Sequence, residues 1–183
     1  EMMREVEAKN ELLHSMSNTD ALTGLLNRRG LAEKLRQQML SGEDDKAHIV
    51  FADLDHLKQI NDNFGHAEGD FAICQIGEIL KMQAGEKAFV ARIGGDEFVV
   101  VLFAGEERDD YVARVRKECL RRNEIGKKPF LVECSLGSLE FSCTPETEIE
   151  HLLSRADAIM YLAKKERRES VLKKILEEAG GMK

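Results

Sequence analysis

The sequence predicts an α+β layer fold, a central sheet covered by helices. Three observations predict it. Short apolar runs, Ala47 to Ala52 and Val99 to Phe103, read as buried strands. Longer stretches between and after them carry the helical period. No repeat, low-complexity tract or internal linker divides the chain, and 183 residues suit one domain of ordinary size plus an extension.

Taken in order, residues 1–17 read as a helix, with Met2, Val6, Leu13 and Met16 near heptad spacing and Lys9 interrupting the stripe. On its own, so short a stripe reads as a solvated terminal helix that packs on its own domain. Asn27 is a natural N-cap for a helix from Arg28 to Leu40 that ends near Ser41-Gly42. A strand follows from His48 to Asp53 and enters a loop. Ala67 to Gln83 is amphipathic, with Phe71, Ile73, Ile76, Ile79 and Leu80 as its apolar face. A hairpin turns at Gly94-Gly95, where glycines permit positive φ and a close approach of backbone to ligand. Tyr111 to Arg122 reads as helix, Phe130 to Phe141 as strand, and Ile149 to Arg167 as helix. Val171, Leu172, Ile175 and Leu176 then suggest a short amphipathic helical tail over 171–183.

Hydrophobic residues make up 43% and aromatics 5%, with no Trp, so the core should be aliphatic. With 27 basic and 34 acidic residues the net charge is -7, which argues against broad nucleic-acid binding, a process driven by phosphate neutralisation. Cys74, Cys119, Cys134 and Cys143 lack CxxC spacing and paired histidines, and read as reduced, mostly buried thiols of a cytoplasmic protein rather than a zinc site. No apolar run reaches membrane-spanning length and there is no signal peptide, so no membrane insertion is expected of this segment.

Chemistry concentrates in two places. Arg92-Ile93-Gly94-Gly95-Asp96-Glu97-Phe98 puts two acids on a turn between strands, where they either bind a divalent metal or are merely solvated. Asp53-Leu54-Asp55-His56-Leu57-Lys58, continuing to Asp70, combines hard oxygen ligands with a cation, the pairing that metal and phosphate chemistry needs. A calcium loop of EF-hand type does not fit, because Leu57 and Lys58 stand where an acid and a glycine belong.

Together with the opening Asp20-Ala21-Leu22-Thr23-Gly24-Leu25-Leu26-Asn27-Arg28-Arg29, the run Ser135-Leu136-Gly137, and Ala156-Asp157-Ala158-Ile159-Met160-Tyr161-Leu162-Ala163-Lys164, these segments resemble the GGDEF domain of bacterial diguanylate cyclases over residues 18–170. The resemblance implies a palm-like βααββαβ fold shared with nucleotidyl cyclases, its central sheet containing antiparallel strands and flanked by helices. It implies condensation of two GTP into cyclic di-GMP with release of two pyrophosphates, on Mg²⁺ or Mn²⁺, by a homodimer whose 1–17 helix leads to an upstream sensory or dimerising domain. By motif position Asp53, Asp96 and the Leu54 carbonyl match the metal ligands. Asp96 also matches the proton acceptor, Lys58 the charge stabiliser, and Glu97 either assists at the metal or orients the turn. Asn61 and Asp70 match the guanine readers, and Lys164 and Arg168 match phosphate contacts. His66 is either a substrate contact or a loop anchor. Leu57 replaces a usual Phe, Arg167-Arg168-Glu169 replaces Gly-Arg-Asn, and the tail reads as helix where the family commonly continues into a last strand. Gly85-Glu86-Lys87-Ala88 occupies the place of the product-binding Arg-x-x-Asp. The alternative is a catalytically idle module of the same family that binds GTP or a protein partner.

Overall fold

The computed structural model describes residues 18–103, 108–156, 158–166 and 168–169; the expected 1–17 helix and the 171–183 tail lie outside the described residues. The elements are α1 (Arg28–Ser41), β1 (Lys46–Leu54), α2 (Leu57–Phe64), α3 (His66–Gln83), β2 (Phe89–Arg92), β3 (Glu97–Leu102), α4 (Arg108–Gly126), β4 (Cys134–Ser142) and α5 (Ile149–Ser154). A further helix, α6, runs through 158–166. From β1 to β4 the order is βααββαβ, as the resemblance implies.

The four strands form one antiparallel sheet in the order β2-β3-β1-β4. Strand period decides which side chains meet which helices. Val50, Ala52 and Leu54 of β1, with Phe98, Val100 and Leu102 of β3, face a core completed by α3 and α4. The alternate residues Ala47, Ile49, Phe51, Val99 and Val101 face a second core formed with α1, α5 and Met160. Both faces of the central strands are thus dry, which is why β1 and β3 read as continuous apolar runs rather than alternating ones. Phe98 is fully buried, and Phe98→Ala is a change of the kind that costs about 3–5 kcal/mol.

α1 starts as expected, with the Asn27 side chain accepting from the Gly30 amide at 2.9 Å, a cap worth about 1 kcal/mol. Four expectations need correction. The stretch after Asp53 is not all loop, since residues 57–64 form α2. The strand expected from Phe130 begins at Cys134, because Asn123 of α4 brackets Val132 with bonds of 2.9 Å from its amide and 3.1 Å to its carbonyl, drawing that segment away from the sheet. The helix expected over Ile149 to Arg167 breaks at Arg155, and Arg167 lies outside the described residues. Phe71 leaves the core face of α3: it is 40% exposed, with the Lys128 ammonium 4.4 Å from its ring centre, and Ala72 and Gly77 are buried on that helix.

The four cysteines are thiols rather than disulfides, Cys119 and Cys143 buried, Cys74 and Cys134 half-buried. No helix among the described residues is long and apolar enough to cross a membrane.

Candidate active site

The antiparallel register fixes the site. At the end of β1, Asp53 stands opposite Glu97 on one side and Ser135 on the other. The Leu54 amide donates to the Asp96 carbonyl at 2.9 Å, so the acidic turn is stitched to the strand end that carries Asp53. Asp55 accepts from the Ser135 hydroxyl at 2.8 Å. Lys164 arrives from α6, its Nζ 3.1 Å from Asp53 Oδ2. Gly137 allows that approach, since a Cβ there would sit 3.0 Å from the Ile159 carbonyl oxygen and 2.7 Å from its Cγ2.

Neither turn glycine takes the positive φ that glycine permits; among the described glycines only Gly24, Gly42 and Gly65 do so. Gly94 instead leaves room for the Glu97 side chain, whose carboxylate end a Cβ there would push aside. Glu97 therefore lies folded against the turn, and its carbonyl accepts from Ile93 at 2.9 Å.

Burial pushes the Asp53 carboxyl above its ordinary 3.8, the charges of Asp96 and Asp55 push the same way, and the Lys164 hydrogen bond opposes them. The cluster is short of positive charge. Among the described residues no three His, Cys, Asp or Glu side chains converge as a ready-made metal cage. Asp53 and Asp96 are nevertheless close enough for the charge of one to act on the other, and the carboxylate and carbonyl oxygens gathered there are of the hard kind that a small divalent cation would take, with the Lys164 ammonium resting on Asp53.

The remaining candidates lie beyond the β1–α2 turn. His56 takes a left-handed backbone, φ 63°, and starts α2 without a side-chain cap. Lys58 is exposed in the first turn of α2 and Asn61 half-buried in the next. Asn61 packs so closely on Gly69 of α3 that a Cβ on the glycine would meet its carboxamide oxygen, which sets Asn61 against the turn of α3 that carries exposed Asp70. His66 begins α3 and is exposed. Arg168, four residues beyond Lys164, is also exposed, and no described contact draws it to the acids.

A network absent from the sequence reading backs the turn. Arg92 donates to the Gly95 carbonyl from Nε at 3.2 Å and from Nη2 at 2.8 Å, and its Nη1 lies 3.1 and 3.2 Å from the two oxygens of Asp20. Both residues stand in quoted motifs, yet 72 positions separate them and no periodicity links them.

Residues 17–170 match the family model described as diguanylate cyclase, GGDEF domain. The chain is 35% identical over 175 residues to the diguanylate cyclase DgcP of Escherichia coli, covering 92% of this chain and 51% of that protein. It is 36% identical over 156 residues to the diguanylate cyclase DgcP of Pseudomonas aeruginosa, covering 82% of this chain and 23% of that one. The chain thus spans about half or less of these relatives. Among solved structures, the coiled coil and GGDEF domain of DgcB from Caulobacter crescentus in complex with c-di-GMP aligns with a TM-score of 0.69 at 26% identity, covering 90% of this chain and 91% of that chain. Diguanylate cyclase SiaD in complex with its activator SiaC from Pseudomonas aeruginosa aligns with a TM-score of 0.69 at 30% identity, over 90% of this chain and 64% of that one.

Proposed function

Because the chain belongs to the GGDEF family of diguanylate cyclases, we propose that it is an active cyclase condensing two GTP into cyclic di-GMP and two pyrophosphates. The observation that supports activity over an idle module is the juxtaposition of Asp53, Asp96 and Lys164 at one strand end, acids and cation together where a triphosphate needs both.

In this reading each copy of the chain holds one GTP and two copies face each other, so that each ribose 3′-hydroxyl attacks the α-phosphate of the opposite nucleotide and pyrophosphate leaves. Asp53, Asp96 and the Leu54 carbonyl would hold Mg²⁺ or Mn²⁺, which when bound supplies charge stabilisation on the phosphates and lowers the pKa of the attacking hydroxyl. Asp96 orients that hydroxyl and takes its proton. The uncapped start of α2 turns amide donors toward the terminal phosphates, and Lys58 adds a cation beside them. Lys164 leaves Asp53 for phosphate when the nucleotide arrives, and Arg168 joins it from the same helix. Asn61 and Asp70 read guanine, whose N1-H and N2-H suit a carboxylate acceptor that adenine cannot match. Residues 1–17 would bring two copies together and link them to an upstream module. Turnover of GTP with Mg²⁺ should be present in the full chain and absent in Asp53→Ala and Asp96→Ala; turnover persisting in either variant contradicts the assignment.

A further inference from the structure

The two peptide planes on either side of Asp96 are pinned in different directions. The carbonyl of the Gly95–Asp96 peptide accepts two bonds from the Arg92 guanidinium, at 2.8 and 3.2 Å. The carbonyl of the Asp96–Glu97 peptide accepts from Leu54 at 2.9 Å. With both planes fixed, φ and ψ of Asp96 are fixed, and so is the direction of its Cβ. Gly95 is exposed, so without the guanidinium its carbonyl would turn to water and the first plane would be free to swing.

Arg92 is itself held. Its side chain is 14% exposed and that of Asp20 20%. Asp20 accepts from the Thr23 amide at 2.8 Å and the Thr23 hydroxyl at 2.7 Å, and its own amide donates to Leu25 at 2.7 Å. That turn is tied to β2, with the Leu26 amide donating to Val90 at 3.2 Å and the Arg92 amide donating to Leu26 at 2.8 Å. The carboxylate is therefore a fixed post, and the guanidinium spans the gap between it and the acidic turn as a planar fork that an ammonium cannot reproduce.

We propose that Arg92 is a positioning residue for Asp96, and that Asp20 sets the position of Arg92. The proposal rests on the reading of Asp96 as part of a cyclase site. A misplacement of about 1 Å in a reacting group is enough for a loss near 100-fold, whereas the groups assigned to guanine and phosphates lie on α2, α3 and the late helix, and the described side-chain bonds of Arg92 go to Gly95 and Asp20.

The test uses the full chain carrying Arg92→Lys, Arg92→Gln, Asp20→Asn and the pair Asp20→Asn with Arg92→Lys. The expected result is a fall in kcat of about 10- to 100-fold with KM for GTP nearly unchanged, and a double variant no worse than Arg92→Lys alone, because the two residues act through one link. A purely structural role would lower the melting temperature and leave kcat per folded molecule intact, and that outcome would overturn the proposal. Should Arg92→Gln fail to fold, the near-isosteric Asp20→Asn carries the same test. Mn²⁺ affinity in the presence of a non-hydrolysable GTP analogue gives a readout that needs no turnover. Weakening in Arg92→Lys supports positioning of Asp96 even if the wild type makes no product, a result that would sink the functional reading instead, and unchanged affinity overturns the inference.

Discussion

Lys164 Nζ and Asp53 Oδ2 lie 3.1 Å apart although 111 positions separate them, so a cation from a late helix rests on the carboxylate at the end of the first strand. Asp53 is 15% exposed and Lys164 41% exposed at the side chain. The carboxylate is the more desolvated partner, and the lysine has room to move. In the proposed cyclase, a cation that occupies Asp53 before substrate arrives would compete with a metal there and be released to phosphate afterwards.

Lys164→Met should accordingly bind Mn²⁺ more tightly than wild type in the absence of nucleotide, by calorimetric titration. GTP affinity should weaken about 10- to 100-fold, the worth of a charge-assisted hydrogen bond. Equal Mn²⁺ affinity in the two proteins would show that the ion pair does not guard the site.

On α4, Glu118 accepts from Arg121 at 2.6 and 2.7 Å and from Arg122 at 3.0 Å, and Arg122 reaches Glu78 of α3 at 2.9 Å. The hydrogen bonds from Arg121 and Arg122 hold the Glu118 carboxyl at about 2, below its ordinary 4.5. A depressed carboxylate stabilises the fold above its unfolded value, and the contribution is lost as pH falls through the folded one. Glu118→Gln should therefore melt lower than wild type near pH 7, with the gap closing between pH 4.5 and about 2. A gap independent of pH would show that packing, not charge, is at work.

Gly69→Ala should displace Asn61 without unfolding the protein. The obstruction is side chain only, the carboxamide of Asn61 and the Leu57 Cδ1 at 3.2 Å, and Ala in a helix interior regains about 0.5–1 kcal/mol over Gly. KM for GTP should rise and the preference over ATP should narrow, as it should in Asp70→Asn. Unchanged discrimination in both variants would place the guanine elsewhere.

Feedback inhibition at residues 85–88 should be weak. Gly85 and Ala88 close a turn through a 3.1 Å amide–carbonyl bond, and Ala88 packs on the core, so positions 85 and 88 offer neither a guanidinium nor a carboxylate to grip a guanylate, while exposed Glu86 between them repels phosphate. Titration with cyclic di-GMP should show no micromolar binding at this turn; binding there with matching inhibition would refute this.

Much of this was legible in the sequence because the signals were local. Asn27 capped its helix, apolar runs announced β1 and β3, and Gly94-Gly95 marked the hairpin. What escaped was set by tertiary partners. α2 starts at a left-handed His56 rather than at a Ser, Thr, Asp or Asn cap, so its onset carried no signal. The late start of β4 depends on the Asn123 side chain, and the exposure of Phe71 accompanies Lys128 stacking over it. At the site, motif position named Asp53, Asp96 and Lys164 separately. The pairing of Lys164 with Asp53, and the Asp20–Arg92–Gly95 link behind the turn, needed the folded chain.

The measurement that bears most directly on the central claim is identification of the product formed when the full chain is incubated with GTP and Mg²⁺, with separation by chromatography and mass spectrometry. Cyclic di-GMP and pyrophosphate should form in a ratio of one to two, with a rate per molecule that falls on dilution as facing copies separate. GTP bound but recovered intact at every protein concentration would contradict this.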